Sequence, residues 1–371
     1  MRQPLPPGAT IGIVGGGQLG RMLAMAAARL GYSTAVLDPD QHAPAGQVAQ
    51  KHIAAAYDDG RALEQLARSS DVITYEFENV PVGAIRSLEE WRPVHPPAEA
   101  LEASQDRMSE KIFLNASGIS TAPFAAVESD RDLARGLARF GHSGVLKTRR
   151  MGYDGKGQRV FRNATAEEII GCFEGMGGTP LILEGLVNFV REVSVIAARS
   201  LNGAMAAYDP AENEHRNGIL ARSAVPAAIS PSTAYTVRET AFTILDALDY
   251  VGVIGVEFFV LEDGSVLVNE LAPRVHNSGH WTEAACAVSQ FEQHIRAITG
   301  LPLGRTDRHS DCVMENILGG ERRNMKRLLE EPNLMLHLYG KREARPGRKM
   351  GHFTRLTPAG AGGPKGSPSA E

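Results

Sequence analysis

Residues 256–281, VEFFVLEDGSVLVNELAPRVHNSGHW, constrain the fold more than any other stretch of this chain. Two apolar runs flank Asp263-Gly264, a pair that favours a tight two-residue hairpin turn. The register set by such a turn puts Glu257 directly opposite Glu270. Two carboxylates facing each other on paired strands repel and weaken the sheet. A positive charge between them removes the conflict, and a hard divalent cation with oxygen ligands is the natural candidate, with Asn269 adding an oxygen at the same end. The bland alternative is two solvent-facing glutamates at a sheet edge, salt-bridged to nearby arginines. Arg274, His276 and Asn277 follow at once, in a segment too polar to be plain loop filler.

The chain has 371 residues, 43% hydrophobic and 22% charged, which suits a soluble globular enzyme with two or three domains. A net charge of −4 gives no global attraction to nucleic acid or to anionic membrane. No apolar run approaches the length needed to span a bilayer, and the N-terminus runs straight into a strand without a secretory pattern. Cys172, Cys286 and Cys312 are far apart and show no ligand spacing, so they read as buried free thiols of a cytoplasmic protein.

Strand and helix alternate through the first hundred residues: a strand over 10–14, a helix over 18–30, a strand over 33–37, a helix near 61–68 and a strand over 71–75. This βαβαβ order implies a parallel sheet. A helix is expected over 104–116. Beyond it come short strands at 145–148, 159–162, 181–183, 193–198 and 218–223, with helices at about 166–173 and 234–248. The hairpin closes this α+β region, followed by a helix at 289–299 and strands near 312–317 and 335–339. The Gly-, Pro- and Ser-rich tail LTPAGAGGPKGSPSAE reads as disordered.

Gly15-Gly16-Gly17-Gln18-Leu19-Gly20 fits G-x-G-x-x-G between a strand and a helix, and Asp38 ends the second strand. Alone, this suggests an NAD-linked dehydrogenase. Its physical content is only that N–H groups at a helix N-terminus can hold an anion, and with Arg21 beside it the turn suits a substrate phosphate equally well. Glu76 and Glu78, in YEFENVP, share one face if the strand continues, and either read a polar ligand or are simply solvated.

Lys147 ends an apolar strand and precedes TRRMGYDGKGQ, in which closely spaced glycines let backbone N–H groups approach phosphate oxygens. This is not a Walker A loop. It reads as a flexible phosphate lid, or as a mobile hairpin with incidental lysines. Glu184 ends the strand at 181–183, where a carboxylate could meet a nucleoside. Glu192 sits inside an apolar run, where a charge usually has a partner. Residues 341–355 carry six basic side chains against one acidic, either a solvated face or an anion site.

The strings GGGQLGRM (15–22), YEFENVP (75–81), QDRMSEK (105–111), MGYDGKGQ (151–158), NELAPRVHNSGHWT (269–282) and RPGRKMGH (345–352) run in order along nearly the whole chain. With them the chain resembles the ATP-grasp superfamily, and within it the N5-carboxyaminoimidazole ribonucleotide synthetases, the ATPase subunit of phosphoribosylaminoimidazole carboxylase. The resemblance implies a Rossmann-like pre-ATP-grasp domain (1–103), an ATP-grasp domain (104–300) with its lid near 150–158, a small C-terminal domain (301–356) and a disordered tail (357–371).

The same resemblance implies an ATP site of Arg107, Lys147, Gly152, Tyr153, Asp154, Gly155, Lys156, Gly157, Gln158, Glu184, Gly185, Leu186, Val187, Glu192, His215, Val268 and Asn269. Glu257 and Glu270 match magnesium ligands. Gln18, Leu19, Gly20, Glu76, Asn79, Tyr153, Arg274, His276, Asn277, Ser278, Lys341 and Arg348 match the substrate region, with Asp154, Arg274, His276 and Lys341 in catalytic roles. The implied reaction takes ATP, bicarbonate and 5-aminoimidazole ribonucleotide through carboxyphosphate, in a homodimer. Runner-up readings are the formate-dependent glycinamide ribonucleotide transformylase, the NAD-linked dehydrogenase and a non-catalytic nucleotide sensor.

Overall fold

The computed structural model describes residues 3–152, 157–319 and 325–360. The alternating N-terminal pattern folds as β1 (Thr10–Val14), α1 (Gln18–Arg29), β2 (Ser33–Leu37), β3 (Lys51–Ile53), α2 (Gly60–Arg68), β4 (Val72–Tyr75) and α3 (Val82–Glu89). The strands make a parallel sheet in the order β3-β2-β1-β4. They are nearly continuous apolar runs because both faces are covered: Ile11, Ile13 and Val36 pack with α1, while Val14, Leu37 and Ile73 pack with α2 and α3. The short edge strand β3 carries no alternation that would have revealed it. Val14 pairs with Tyr75, so the turn after β1 and the segment after β4 open into one crevice at the carboxyl ends of the strands.

The helix anticipated over 104–116 is α5 (Arg107–Ala116), and α4 (Ala98–Gln105), which was not anticipated, precedes it. Asp106 separates them, with extended backbone and a carboxylate that accepts from the N–H groups of Met108 and Ser109. It is an N-cap near the start of the stretch expected to be helical. Next come β5 (Phe124–Val127), α6 (Asp130–Arg139), β6 (Gly144–Thr148), β7 (Gln158–Phe161), α7 (Ala166–Ile169), α8 (Cys172–Gly175) and β8 (Leu181–Gly185). These strands form a small antiparallel sheet, β5-β8-β6-β7, over a core of its own. The helix expected over 166–173 is interrupted by Gly171, whose φ of +73° ends one short helix before the next begins.

The remaining elements are β9 (Arg191–Arg199), β10 (Met205–Ala207), β11 (Ala211–Arg216), β12 (Ile219–Val225), α9 (Pro231–Ala247), β13 (Gly252–Val260), β14 (Val266–Ala272), α10 (Thr282–Ala285), α11 (Gln290–Thr299), β15 (Ser310–Leu318), α12 (Met325–Leu329), β16 (Leu334–Leu338) and β17 (Lys349–Pro358). The strands build one antiparallel sheet, β14-β13-β9-β11-β12-β15-β17-β16, with β10 alongside β9. The segment after 301, expected as a small domain, therefore extends the central sheet through pairs such as Ser223 with Met314. The tail expected to be disordered from 357 starts inside β17, where Thr357 pairs with Asp311 and Pro358 with Ser310. Residues 361–371 lie outside the described part.

The parallel sheet is fused to the central sheet. α11 packs against both α1 and β13, and one buried cluster runs from Ile11, Ile13 and Leu23 to Ile196, Trp281, Phe291 and Met314. All three cysteines are buried free thiols. Among the described residues, no helix is long and apolar enough to cross a membrane.

His294 on α11 is the polar pin of this junction. Its Nδ1 accepts from Val253 N–H at 3.1 Å, and its Nε2 meets Thr74 Oγ1 on β4 at 2.8 Å. Burial, and secondarily His95, pushes its pKa down to about 3. A histidine kept neutral when folded but protonated when unfolded below about 6.5 contributes stability above that pH and loses it toward pH 3, by up to about 1.4 kcal/mol per pH unit. Denaturation midpoints at pH 7.5 and 5.5 should show an acid-sensitive wild type. His294→Asn should be less stable at pH 7.5 but show a shallower acid loss. An unchanged acid slope in the variant would remove His294 from this role.

Candidate active site

The hairpin loop is one residue longer than its sequence suggests. Leu261 N–H donates to Ser265 O, and Gly264, at φ +81°, closes a three-residue loop of Glu262, Asp263 and Gly264. Phe258 therefore pairs with Val268 instead of Asn269. A bulge at Asn269 then shifts the register back, so Glu257 does face Glu270. The expected pairing holds, through two irregularities that cancel.

Helix α5 secures the bulged backbone. Lys111 Nζ donates to Asn269 O at 2.6 Å and to Val268 O at 3.4 Å, while Glu110 accepts from Leu271 N–H at 2.7 Å. Both side chains are buried, and burial pushes the Glu110 carboxyl up to about 8. Sequence reasoning missed both residues. Their signal was two adjacent opposite charges on an otherwise amphipathic helix.

Glu257 and Glu270 line a cavity of about 660 Å³, within the usual range of small-molecule sites. Burial and the facing Glu270 push the Glu257 carboxyl up. Burial opposes ionisation of Glu270 too, but Arg107 at 3.0 Å outweighs it, and Glu270 is held down. Two like charges forced together split in this way. Beside them, buried Asn269 Oδ1 has no hydrogen-bond partner. An orphaned oxygen next to opposed carboxylates is the donor set of a hard divalent cation, so these three residues fit magnesium.

Arg107, Lys147, Gly152, Gly157, Gln158, Glu192, His215 and Asn269 line the same cavity. Glu192 pairs with Nδ1 of His215, and His215 stands on β11, a strand too polar to be recognised in advance. Tyr153, Asp154, Gly155 and Lys156 lie outside the described residues. Glu184 belongs to β8 instead of following it. Its buried carboxylate is paired with Lys147 at 2.8 Å and Lys111 at 3.8 Å, and it does not line the cavity. Gly185, Leu186, Val187 and the buried Val268 are not on the lining either.

The glycine turn is filled from within. Gly17 and Gly20 donate their N–H groups to Glu76 at 2.5 and 2.6 Å, and Gly16 donates to Asp38 at 2.6 Å. A Cβ on Gly17 would come within 2.5 Å of Glu76 Oε1, which is why glycine stands there. Asp38 also accepts from Tyr57 OH. The anion at this helix N-terminus is a side chain, and the ribose-binding acid of a dehydrogenase is already occupied. Gln18, Leu19, Glu76 and Asn79 still line the cavity, whereas Gly20 does not. β4 ends at Tyr75, so Glu76 and Glu78 diverge: Glu76 turns to the glycines and Glu78 pairs with Arg274.

Arg274, His276 and Asn277 line the cavity; Ser278 is buried behind them. Ser194 Oγ donates to Ser278 Oγ, whose own hydroxyl reaches His276 Nδ1 at 2.9 Å. This hydrogen-bond pattern assigns the ring proton to Nε2, 3.5 Å from Glu257. Burial, then Arg274, pushes His276 down to about 3, so the ring is neutral. Lys341 and Arg348 are off the lining: Lys341 Nζ donates to Lys349 O, and Arg348 Nη1 to Glu343 O. Lys349, not singled out from sequence, is the member of this basic segment that reaches the cavity.

Family models for a ribonucleotide synthetase pre-ATP-grasp domain, an ATP-grasp domain and a phosphoribosylaminoimidazole carboxylase C-terminal domain match residues 8–105, 112–291 and 312–360. The chain is 62% identical to the N5-carboxyaminoimidazole ribonucleotide synthase of Brucella melitensis, over 95% of this chain and 98% of that one. It is similar to the ADP complex of an N5-carboxyaminoimidazole ribonucleotide synthetase, with TM-score 0.92, 44% identity and coverage of 96% and 94%. It is also similar to the Aspergillus clavatus N5-carboxyaminoimidazole synthase in complex with ADP and 5-aminoimidazole ribonucleotide, with TM-score 0.88, 33% identity and coverage of 95% and 94%.

Lys111→Met removes a buried cation and leaves Glu184 and two carbonyls without it, at a cost of about 3–5 kcal/mol. Urea denaturation should show that loss, and the surviving folded enzyme should bind nucleotide more weakly. Wild-type stability would mean that the bulge holds without Lys111.

Proposed function

The chain belongs to the N5-carboxyaminoimidazole ribonucleotide synthase family of ATP-grasp enzymes, and from that premise we infer how its cavity carries out the family's reaction. It is an ATP-dependent ligase that carboxylates 5-aminoimidazole ribonucleotide to N5-carboxyaminoimidazole ribonucleotide in purine biosynthesis. The relatives favour this reaction over the formate-dependent sibling. The observation that carries the site assignment is the convergence of Glu257, Glu270, Asn269, Arg107, Lys147, Arg274 and Lys349 on one cavity.

Bicarbonate is a poor electrophile, and transfer of the γ-phosphoryl group to it gives carboxyphosphate and ADP. Loss of phosphate from carboxyphosphate yields carbon dioxide, which the exocyclic amine of the aminoimidazole attacks, giving the carbamate and releasing a proton. We assign the nucleotide phosphates to Arg107, Lys147 and the 152–158 loop, with Glu192 and His215 toward the nucleoside. Glu257, Glu270 and Asn269 would hold magnesium, which when bound supplies charge neutralisation for phosphoryl transfer. Positioning by Arg107 and Lys147 supplies much of the remaining catalysis, since phosphoryl transfer asks for little else from a protein.

Arg274, oriented by Glu78, faces the same space and suits the carboxyphosphate dianion. His276, neutral with its proton on Nε2, acts as a hydrogen-bond donor in this tautomer, which leaves Asp154 as the stronger candidate for taking the amine proton. Lys349, the residue of the basic 341–355 segment that lines the cavity, takes the role the resemblance gave to Lys341 and Arg348, that of holding the substrate phosphate. The resemblance also supports a cytoplasmic homodimer, which light scattering on the purified protein tests directly.

ADP release should require both bicarbonate and 5-aminoimidazole ribonucleotide for full rate; stimulation by formate and glycinamide ribonucleotide instead would overturn the assignment. Arg274→Ala should lower kcat roughly 10²–10³-fold, the usual cost of deleting a charge-stabilising donor, with little change in KM for ATP. A raised KM for ATP with normal kcat would move Arg274 to nucleotide binding.

A further inference from the structure

We propose that Glu283, His337 and His352 form a second metal site, for a transition-metal ion of the zinc class, away from the cavity. Each of the three residues offers one ligand atom, and these atoms lie within 4.8 Å of one another. Glu283 Oε2 lies 3.2 Å from His337 Nδ1 and 3.7 Å from His352 Nε2. Bonds of about 2.0–2.2 Å in a tetrahedral site put ligand atoms about 3.3–3.6 Å apart, so small side-chain shifts bring the 3.2 and 3.7 Å edges to that length.

Three elements converge to make the triangle. His337 on β16 and His352 on β17 are direct cross-strand partners, with rings stacked at 5.3 Å and 18°. Glu283 comes from α10, which packs on β17. Two imidazoles and one carboxylate suit zinc and its neighbours better than magnesium, which prefers oxygen and water. The second observation is the outer contact. His352 Nδ1, the nitrogen not facing Glu283, is hydrogen-bonded to Tyr339 OH at 2.9 Å. Ligating histidines are held by just such a bond from their other ring nitrogen.

None of the three ligands lines the cavity. α10 follows directly after the Arg274–Ser278 segment, and β16 and β17 flank Lys341 and Arg348. A bound ion therefore tethers the exit of the substrate loop to β17, whose first residue, Lys349, lines the cavity. That consequence rests on the proposed function; the metal site itself does not.

The test titrates the chelator-stripped full chain with zinc(II), and with cobalt(II) as a spectroscopic probe. With excess magnesium present to occupy the Glu257–Glu270 site, one equivalent should bind, with the intense visible bands of tetrahedral cobalt(II) and a raised Tm. Glu283→Gln and His337→Gln, at partly exposed positions, should each weaken binding at least tenfold. Tyr339→Phe should weaken it roughly 10–100-fold. Glu270→Gln should leave it intact. Absence of saturable binding, binding unaffected by Glu283→Gln and His337→Gln, or binding lost in Glu270→Gln would each overturn the proposal, the last assigning the ion to the cavity. ADP release measured on the same samples keeps a failure of the functional reading distinct from a failure of this one.

Discussion

The site depends on one unfavourable contact held in place by the sheet: Glu257 and Glu270 face each other across β13 and β14. A plain antiparallel ladder would disperse such a pair by a change of register. Here the register is pinned twice, by the three-residue loop and by the bulge at Asn269, and α5 grips the bulge from the other side through Lys111 and Glu110. The split between a raised Glu257 and a lowered Glu270 is the residual strain of that arrangement, and a cation is what it is built to accept.

Charges that look like ligand-binding groups in isolation are largely engaged with each other. Glu76 and Asp38 cap the glycine turn, Glu184 neutralises Lys147 and Lys111, and Glu78 holds Arg274. These pairings fix side chains before substrate arrives, so binding need not order them. Two of them also change a reading. The dinucleotide fingerprint after β1 is an internal carboxylate clasp, and the carboxylate of Glu184 pairs with Lys147 and Lys111.

Periodic and punctuated features were legible in the sequence. The parallel βαβ unit, the strand carrying Lys147, the hairpin and the helix at 290–299 follow from apolar pattern and turn residues, because each buries one regular face. Features that break a pattern were not. Asp106 stops a helix that propensity would continue, and Asn269 inserts one residue into a ladder. The polar strand carrying His215 is a strand because β9 and β12 lie on either side of it. Lys349 reaches the cavity through tertiary placement, while the neighbouring Lys341 and Arg348 point their donors at backbone carbonyls.

The sequence by itself determined that two glutamates must share one end of a hairpin with an asparagine and a basic segment, and its ordered motifs determined the family. Those conclusions rest on local spacing, which a chain carries unfolded. Only the tertiary structure decided which charges are free to meet a ligand and which are spent on one another. It also decided that the C-terminal strands extend the central sheet, and that Glu283, His337 and His352 meet. Those facts depend on burial and on contacts between distant segments: Glu283 and His337 stand 54 positions apart and carry no local signal that they will touch.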